Sequence, residues 1–241
     1  MSYSTKLTKE NLDYYLRELA KEFRRLNGKT MPAEMILIGG ASVLINYGFR
    51  DMTSDVDAII SASSVMKEAI IKVGDRFSLE NGWLNTDFQN TKSYTPRLME
   101  VSVFYKTLSN VLTIRTVAGE YLIAMKLMSG REYKNDLSDV IGILHEHEQR
   151  GTPITYEQID AAVCRLYDDW TGVPDSAIRF IRDVYDAPDY SELYERLRNE
   201  ERESRETLLD FDVEYPGVLH EDNMSEILKQ AQMRMKQRDN E

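Results

Sequence analysis

The 241-residue sequence holds one cysteine, Cys164, so an intrachain disulfide is excluded and this residue reads as core packing. No apolar run approaches the roughly 20 residues that span a bilayer. Met1 to Lys9 carries no apolar stretch of the signal-peptide kind. These absences predict a soluble, cytoplasmic protein without a membrane partner. Positive charge is also short: 30 basic against 41 acidic side chains leave a net charge of −11, which argues against sequence-independent binding of polyanions. A nucleic acid remains possible as a substrate if Lys and Arg gather locally. Of the three histidines, His145 and His147 stand at i and i+2 on a predicted helix, where side chains diverge and cannot share a zinc ion. There is no internal repeat.

What is present has a clear order. Residues 8–27 have helical periodicity, with Thr8 as cap and Gly28 as stop. Glu34 to Ile38 reads as a buried strand ending at Gly39-Gly40, and Ala41 to Tyr47 as a short helix. Asp55 to Ile60 is a second strand, followed by a helix from Ser63 or Ser64 to about Val73. After a polar stretch over 76–96, Leu98 to Tyr105 and Val111 to Thr116 read as paired strands. Helical patterns follow over 120–128, 135–148, 156–169 and 176–185, while 190–241 reads as a charged, solvated helical end. The predicted fold class is α+β: a mixed sheet with flanking helices over 1–116, then a helical C-terminal region over 117–241.

The chemistry concentrates around Gly39-Gly40 and Asp55-Val56-Asp57. Alternation along a strand aims Asp55 and Asp57 the same way, their Cα atoms about 6.6 Å apart at about 3.3 Å per residue. Two like charges on an otherwise apolar strand call for a cation, and hard carboxylate oxygens suit Mg2+ (or Mn2+). Gly39 and Gly40, without Cβ atoms, allow backbone N–H groups to approach a phosphate at the head of the next helix, with Ser42 adding a hydroxyl.

This arrangement resembles the DNA polymerase β-like nucleotidyltransferase superfamily, in which a Gly-Gly or Gly-Ser turn precedes Asp-x-Asp on the next strand. The superfamily includes the minimal nucleotidyltransferases and the AbiEii-type toxins, and Leu122 to Lys126 followed by Asp136-Leu-Ser-Asp139 is similar to the Leu-x-x-x-Lys and Asp-x-x-Asp motif of the AbiEii-type enzymes. The likeness extends over about residues 34–144. Fourteen residues separate Gly40 from Asp55, slightly more than is usual there. The resemblance implies transfer of a nucleoside monophosphate from a nucleoside triphosphate, with Asp55 and Asp57 on the metal and Lys126 and Arg50 on the triphosphate. Asp139 or Asp136 would orient Lys126 or the acceptor, although Asp136 also suits a helix cap and Asp139 the first turn behind it. It implies a third metal carboxylate on a later strand, with Glu100, read as opening the strand Glu100 to Tyr105, favoured over Asp87 in the loop 83–87. The acceptor is left open among a transfer RNA end, a protein and a small molecule, the first implying a cognate antitoxin. A non-catalytic nucleotide-binding descendant is the alternative. Trp83 and Trp170 read as core, with base stacking as the other possibility.

Overall fold

The computed structural model describes residues 6–28, 31–131, 133–187, 189–220 and 223–238. Helix α1 (Lys9–Asn27) starts at Thr8 through a reciprocal cap: Thr8 Oγ1 accepts the Asn11 N–H, and Asn11 Oδ1 accepts the Thr8 N–H. Strand β1 (Ala33–Leu37) leads into α2 (Gly39–Asn46), and β2 (Val56–Ser61) into α3 (Val65–Phe77). The polar stretch holds the short β3 (Leu84–Asn85) and two 3₁₀ turns, 87–90 and 96–99. Strands β4 (Ser102–Leu108) and β5 (Leu112–Val117) form a hairpin whose Ser109 and Asn110 take positive φ, as tight strand connections favour.

The five strands run in the order β3-β2-β1-β5-β4. Central β1 is antiparallel to β2 and parallel to β5, so the sheet is mixed as expected. Burial on both faces explains why β1 reads as a continuous apolar run. Met35 and Leu37 pack with Leu16, Leu19 and Phe23 of α1 on one face. Ile36 packs on the other with Leu122 of α4 (Gly119–Ser129) and Ile141 of α5 (Asp136–Gln149). That second cluster also takes in Ile159 and Val163 of α6 (Tyr156–Tyr167) and Ile181 of α7 (Asp175–Tyr185). Apolar packing is therefore continuous across residue 116. Cys164 departs from expectation: it is exposed, because α6 buries Ile159, Ala162, Val163 and Leu166 along a different stripe.

The charged C-terminal stretch forms one long helix, α8 (Tyr190–Glu214), and a second, α9 (Met224–Arg238). Leu197, Glu201, Ser204 and Leu208 are the buried positions of α8, spaced four, three and four apart along one face. Leu208 joins Tyr133 and Leu228 in a small separate cluster. Among the described residues no helix is long and apolar enough to cross a membrane.

Candidate active site

Strand pairing brings the two glycines to the acids. The Ile38 N–H donates to the Asp57 carbonyl at 3.0 Å, pinning the end of β1 to β2 just where α2 begins. Gly39 has φ +54°, and a Cβ there would lie 3.6 Å from Asp57 Oδ2. A Cβ on Gly40 would fall 2.7 Å from Thr53 Oγ1 and 2.8 Å from Arg50 Nη2, so any larger residue there has to displace those side chains. The glycines form the first turn of α2 rather than a turn ahead of it, and the first N–H groups of any helix lack acceptors within it.

A cavity of about 900 Å³ opens over this junction, with Gly39, Gly40, Asp55, Asp57 and Asp87 in its wall. Asp57 is pushed up to about 6, first by burial and then by the charge of Asp55, with Asp87 adding and Lys134 and Arg131 opposing. Like charges thus converge here, a setting that a divalent cation would relieve. Among the described residues, however, no three His, Cys, Asp or Glu side chains stand close enough together to hold a metal. Strand β2 starts at Val56 and not at Asp55 as expected, so Asp55 stands exposed just ahead of the strand while Asp57 is half-buried within it. Both line the cavity, and their like charges are of the kind a cation would relieve, with no third ligand grouped beside them among the described residues.

Glu100 does not open a strand. It caps the 3₁₀ turn 96–99, is exposed, and is not among the residues lining the cavity, because β4 begins at Ser102. Asp87, at the head of the 3₁₀ turn 87–90, lines the cavity instead. Ser42 is fully buried, and its Oγ accepts the Val117 N–H at 3.1 Å; it joins α2 to β5 and does not line the cavity.

Beneath the glycines lies a buried ion network. Lys126 Nζ is 2.7 Å from Asp136 Oδ1 and 2.8 Å from Asp139 Oδ2. Arg50 Nη1 reaches the same Asp139 oxygen at 2.5 Å, and Arg131 Nε meets Asp136 Oδ2 at 2.9 Å. Burial opposes ionisation of Asp136, but the charges of Lys126 and Arg131 hold its carboxyl well below the usual range. Burial likewise opposes the Lys126 charge, and Asp136 and Asp139 raise it above the usual lysine value. Lys126 and Arg50, expected on a triphosphate, both line the cavity while engaged by these acids. Asp136 is not a helix cap; Asn135 precedes it in that position.

The network has a member that sequence reading missed. Glu201 of α8 is 2% exposed and its Oε1 accepts the N–H groups of Leu137 and Ser138, capping α5 from another helix. The available signal was the spacing of Leu197, Glu201, Ser204 and Leu208. His145 and His147 take separate partners, Gln149 for one, Tyr47 and Thr152 for the other. Trp83 is buried and donates to the Ile70 carbonyl, and Trp170 donates to Asp160; neither lines the cavity.

Residues 14–145, more than half of the chain, match the family model described as "Nucleotidyltransferase of unknown function (DUF6036)". No curated protein matches the chain, and no solved structure does.

Proposed function

The chain belongs to this nucleotidyltransferase family, and on that premise we propose that it moves a nucleoside monophosphate from a nucleoside triphosphate to an acceptor hydroxyl or phosphate, releasing pyrophosphate. The observation that carries the reading is the 3.6 Å between the Cβ position of Gly39 and Asp57 Oδ2. It sets a helix start suited to phosphate against an acid pair suited to a cation.

Asp55 and Asp57 would hold Mg2+ (or Mn2+), with Asp87 the nearer candidate for a third carboxylate. When bound, such an ion supplies charge neutralisation at the triphosphate and polarises the reacting phosphoryl group. Gly39 and Gly40 let the phosphates approach the N–H groups that open α2. Lys126 and Arg50 contribute positive charge at the cavity wall, and Asp136 and Asp139 act as positioning residues that fix where that charge sits. Fixed charge and orientation account for most of the catalysis in transfers of this kind.

The likeness to AbiEii-type toxins favours a transfer RNA end as acceptor, with a cognate antitoxin as partner, and a protein or a small molecule is the other candidate. A second reading, a nucleotide-binding descendant without catalysis, is favoured by one observation: no third acid stands close enough to complete a metal site among the described residues. Incubation with radiolabelled nucleoside triphosphates, Mg2+ and cell extract separates the two. We expect label to transfer with the wild type and not with the Asp55→Ala, Asp57→Ala double variant, whose circular dichroism should be unchanged. Undiminished labelling by the folded double variant contradicts the proposal, and nucleotide binding without any transfer supports the second reading.

A further inference from the structure

Helix α8 lies outside residues 14–145, the part of the chain that matches the family, yet it grips both sides of one ion pair at the cavity wall. On one side stands Asp139, in the first turn of α5. The N–H groups of the two residues before it, Leu137 and Ser138, donate to Glu201 Oε1, and the Ser138 hydroxyl donates to Glu201 Oε2. On the other side stands Arg50, in the segment that follows α2. Tyr194, seven residues before Glu201 and so on the same face of α8, donates its hydroxyl to the Phe49 carbonyl at 3.3 Å, and the two rings meet edge to face. A Cβ on Gly142 of α5 would fall 2.5 Å from the Phe49 ring, so this segment is pressed against α5 as well.

From the ion pair the contacts run on to the acid and glycine end of the cavity. Arg50 Nη1 meets Asp139 Oδ2, the oxygen that Lys126 Nζ approaches at 2.8 Å. Arg50 Nη2 lies 2.8 Å from the Cβ position of Gly40, and the Cβ position of neighbouring Gly39 lies 3.6 Å from Asp57 Oδ2. A guanidinium is a rigid fork, aimed by whatever holds its other nitrogens. Its place beside Gly40 therefore follows that of Asp139, and Asp139 goes where the start of α5 is held.

We propose that Glu201 is a positioning residue for the nucleotide: by capping α5 it fixes, through Asp139, the Arg50 guanidinium beside Gly40 where the triphosphate approaches. The proposal rests on the reading that this end of the cavity holds the triphosphate. A physical chain of contacts becomes an energetic one only if changes along it are coupled, and that is measurable.

The test is calorimetric titration of a nucleoside triphosphate with Mg2+, at a temperature where circular dichroism shows each variant folded. Glu201→Ala should weaken binding about tenfold, within the range of couplings between separate sites. Glu201→Gln keeps an acceptor for the Leu137 and Ser138 N–H groups and should restore most of the affinity. Ile181→Ala, which opens a cavity in the buried face of α7 at a comparable cost in stability, should bind as the wild type does. In an Arg50→Lys background, where the charge remains but the fork is gone, Glu201→Ala should cost little more. Should Glu201→Ala not fold, Glu201→Asp, one methylene short of both N–H groups, is measured in its place. Unchanged affinity in Glu201→Ala, no recovery in Glu201→Gln, an equal loss in Ile181→Ala, or full additivity with Arg50→Lys each overturns the proposal and leaves the nucleotide reading standing. Failure of the wild type to bind the triphosphate overturns both.

Discussion

Glu201 Oε2 accepts the Ser138 hydroxyl at 2.5 Å while its Oε1 takes the N–H groups of Leu137 and Ser138 at 3.1 Å each, so α8 caps α5, the helix that carries Asp136 and Asp139. Removing the carboxylate in Glu201→Ala strands buried donors, at a cost of about 2–4 kcal/mol. The melting temperature should fall by roughly 5–10 °C. A variant as stable as the wild type would mean that this cap holds nothing in place.

The same residue gives a pH signature. Burial pushes Glu201 up to about 7 from its ordinary 4.5, against the hydrogen bonds from Ser138. A carboxyl raised on folding binds its proton more tightly in the native state, so its stabilising contribution is full below the unfolded value and fades as pH rises through about 7. Glu201→Gln cannot titrate. Melting curves at about pH 5 and about pH 8 should therefore show the wild type losing ground to Glu201→Gln as pH rises; the opposite slope would contradict the assignment.

Lys126 neutralises two buried acids at once. Lys126→Met should cost about 3–5 kcal/mol in urea unfolding, because uncompensated charge stays inside. Adding Asp136→Asn should recover part of the loss, a non-additivity expected of groups in one network. Strict additivity would show that the two do not interact.

How much of this was readable in advance depends on the range of the signal. The neighbourhood of Asp57, Gly39 and Gly40 is legible because strand alternation and a glycine pair act within a few residues and β1 pairs antiparallel with β2, whereas Asp55 lies exposed just ahead of β2, outside the alternation expected of it. The place of Ser42 is not legible locally, because it is set by Val117, 75 residues away. Glu100 was preferred over Asp87 on the expectation that a strand began there; the 3₁₀ turn 96–99, started by Pro96, delays β4 to Ser102. Glu201 was hidden in a charged stretch where only the four, three, four spacing of buried positions distinguished it from solvated neighbours.

Gly40 and Gly28 offer a matched comparison. Gly28 has φ +75° and ψ −164°, a region that only glycine adopts readily, with open space around it, so Gly28→Ala should cost about 1–3 kcal/mol of backbone strain and leave nucleotide binding intact. Gly40→Ala would drive a methyl into Thr53 and Arg50 beside the phosphate approach. Nucleotide affinity should drop about tenfold or more. Equal effects of the two on binding would separate the glycine bend from the ligand.

Asp57 should be held at a cost to stability. Its carboxyl is raised from 3.8 to about 6 by burial and by Asp55, so near neutral pH its charge destabilises the fold, by an amount on the order of 1 kcal/mol. Asp57→Asn removes that charge and should raise the melting temperature by about 2–4 °C in metal-free buffer. A lower melting temperature would place Asp57 among structural residues.

The most direct measurement is calorimetric titration of a nucleoside triphosphate into wild type and into the Asp55→Asn, Asp57→Asn double variant, each with Mg2+ and with a chelator. The wild type should bind only when Mg2+ is present, and the variant in neither condition. Binding of equal strength with the chelator present, or by the variant in Mg2+, would contradict it.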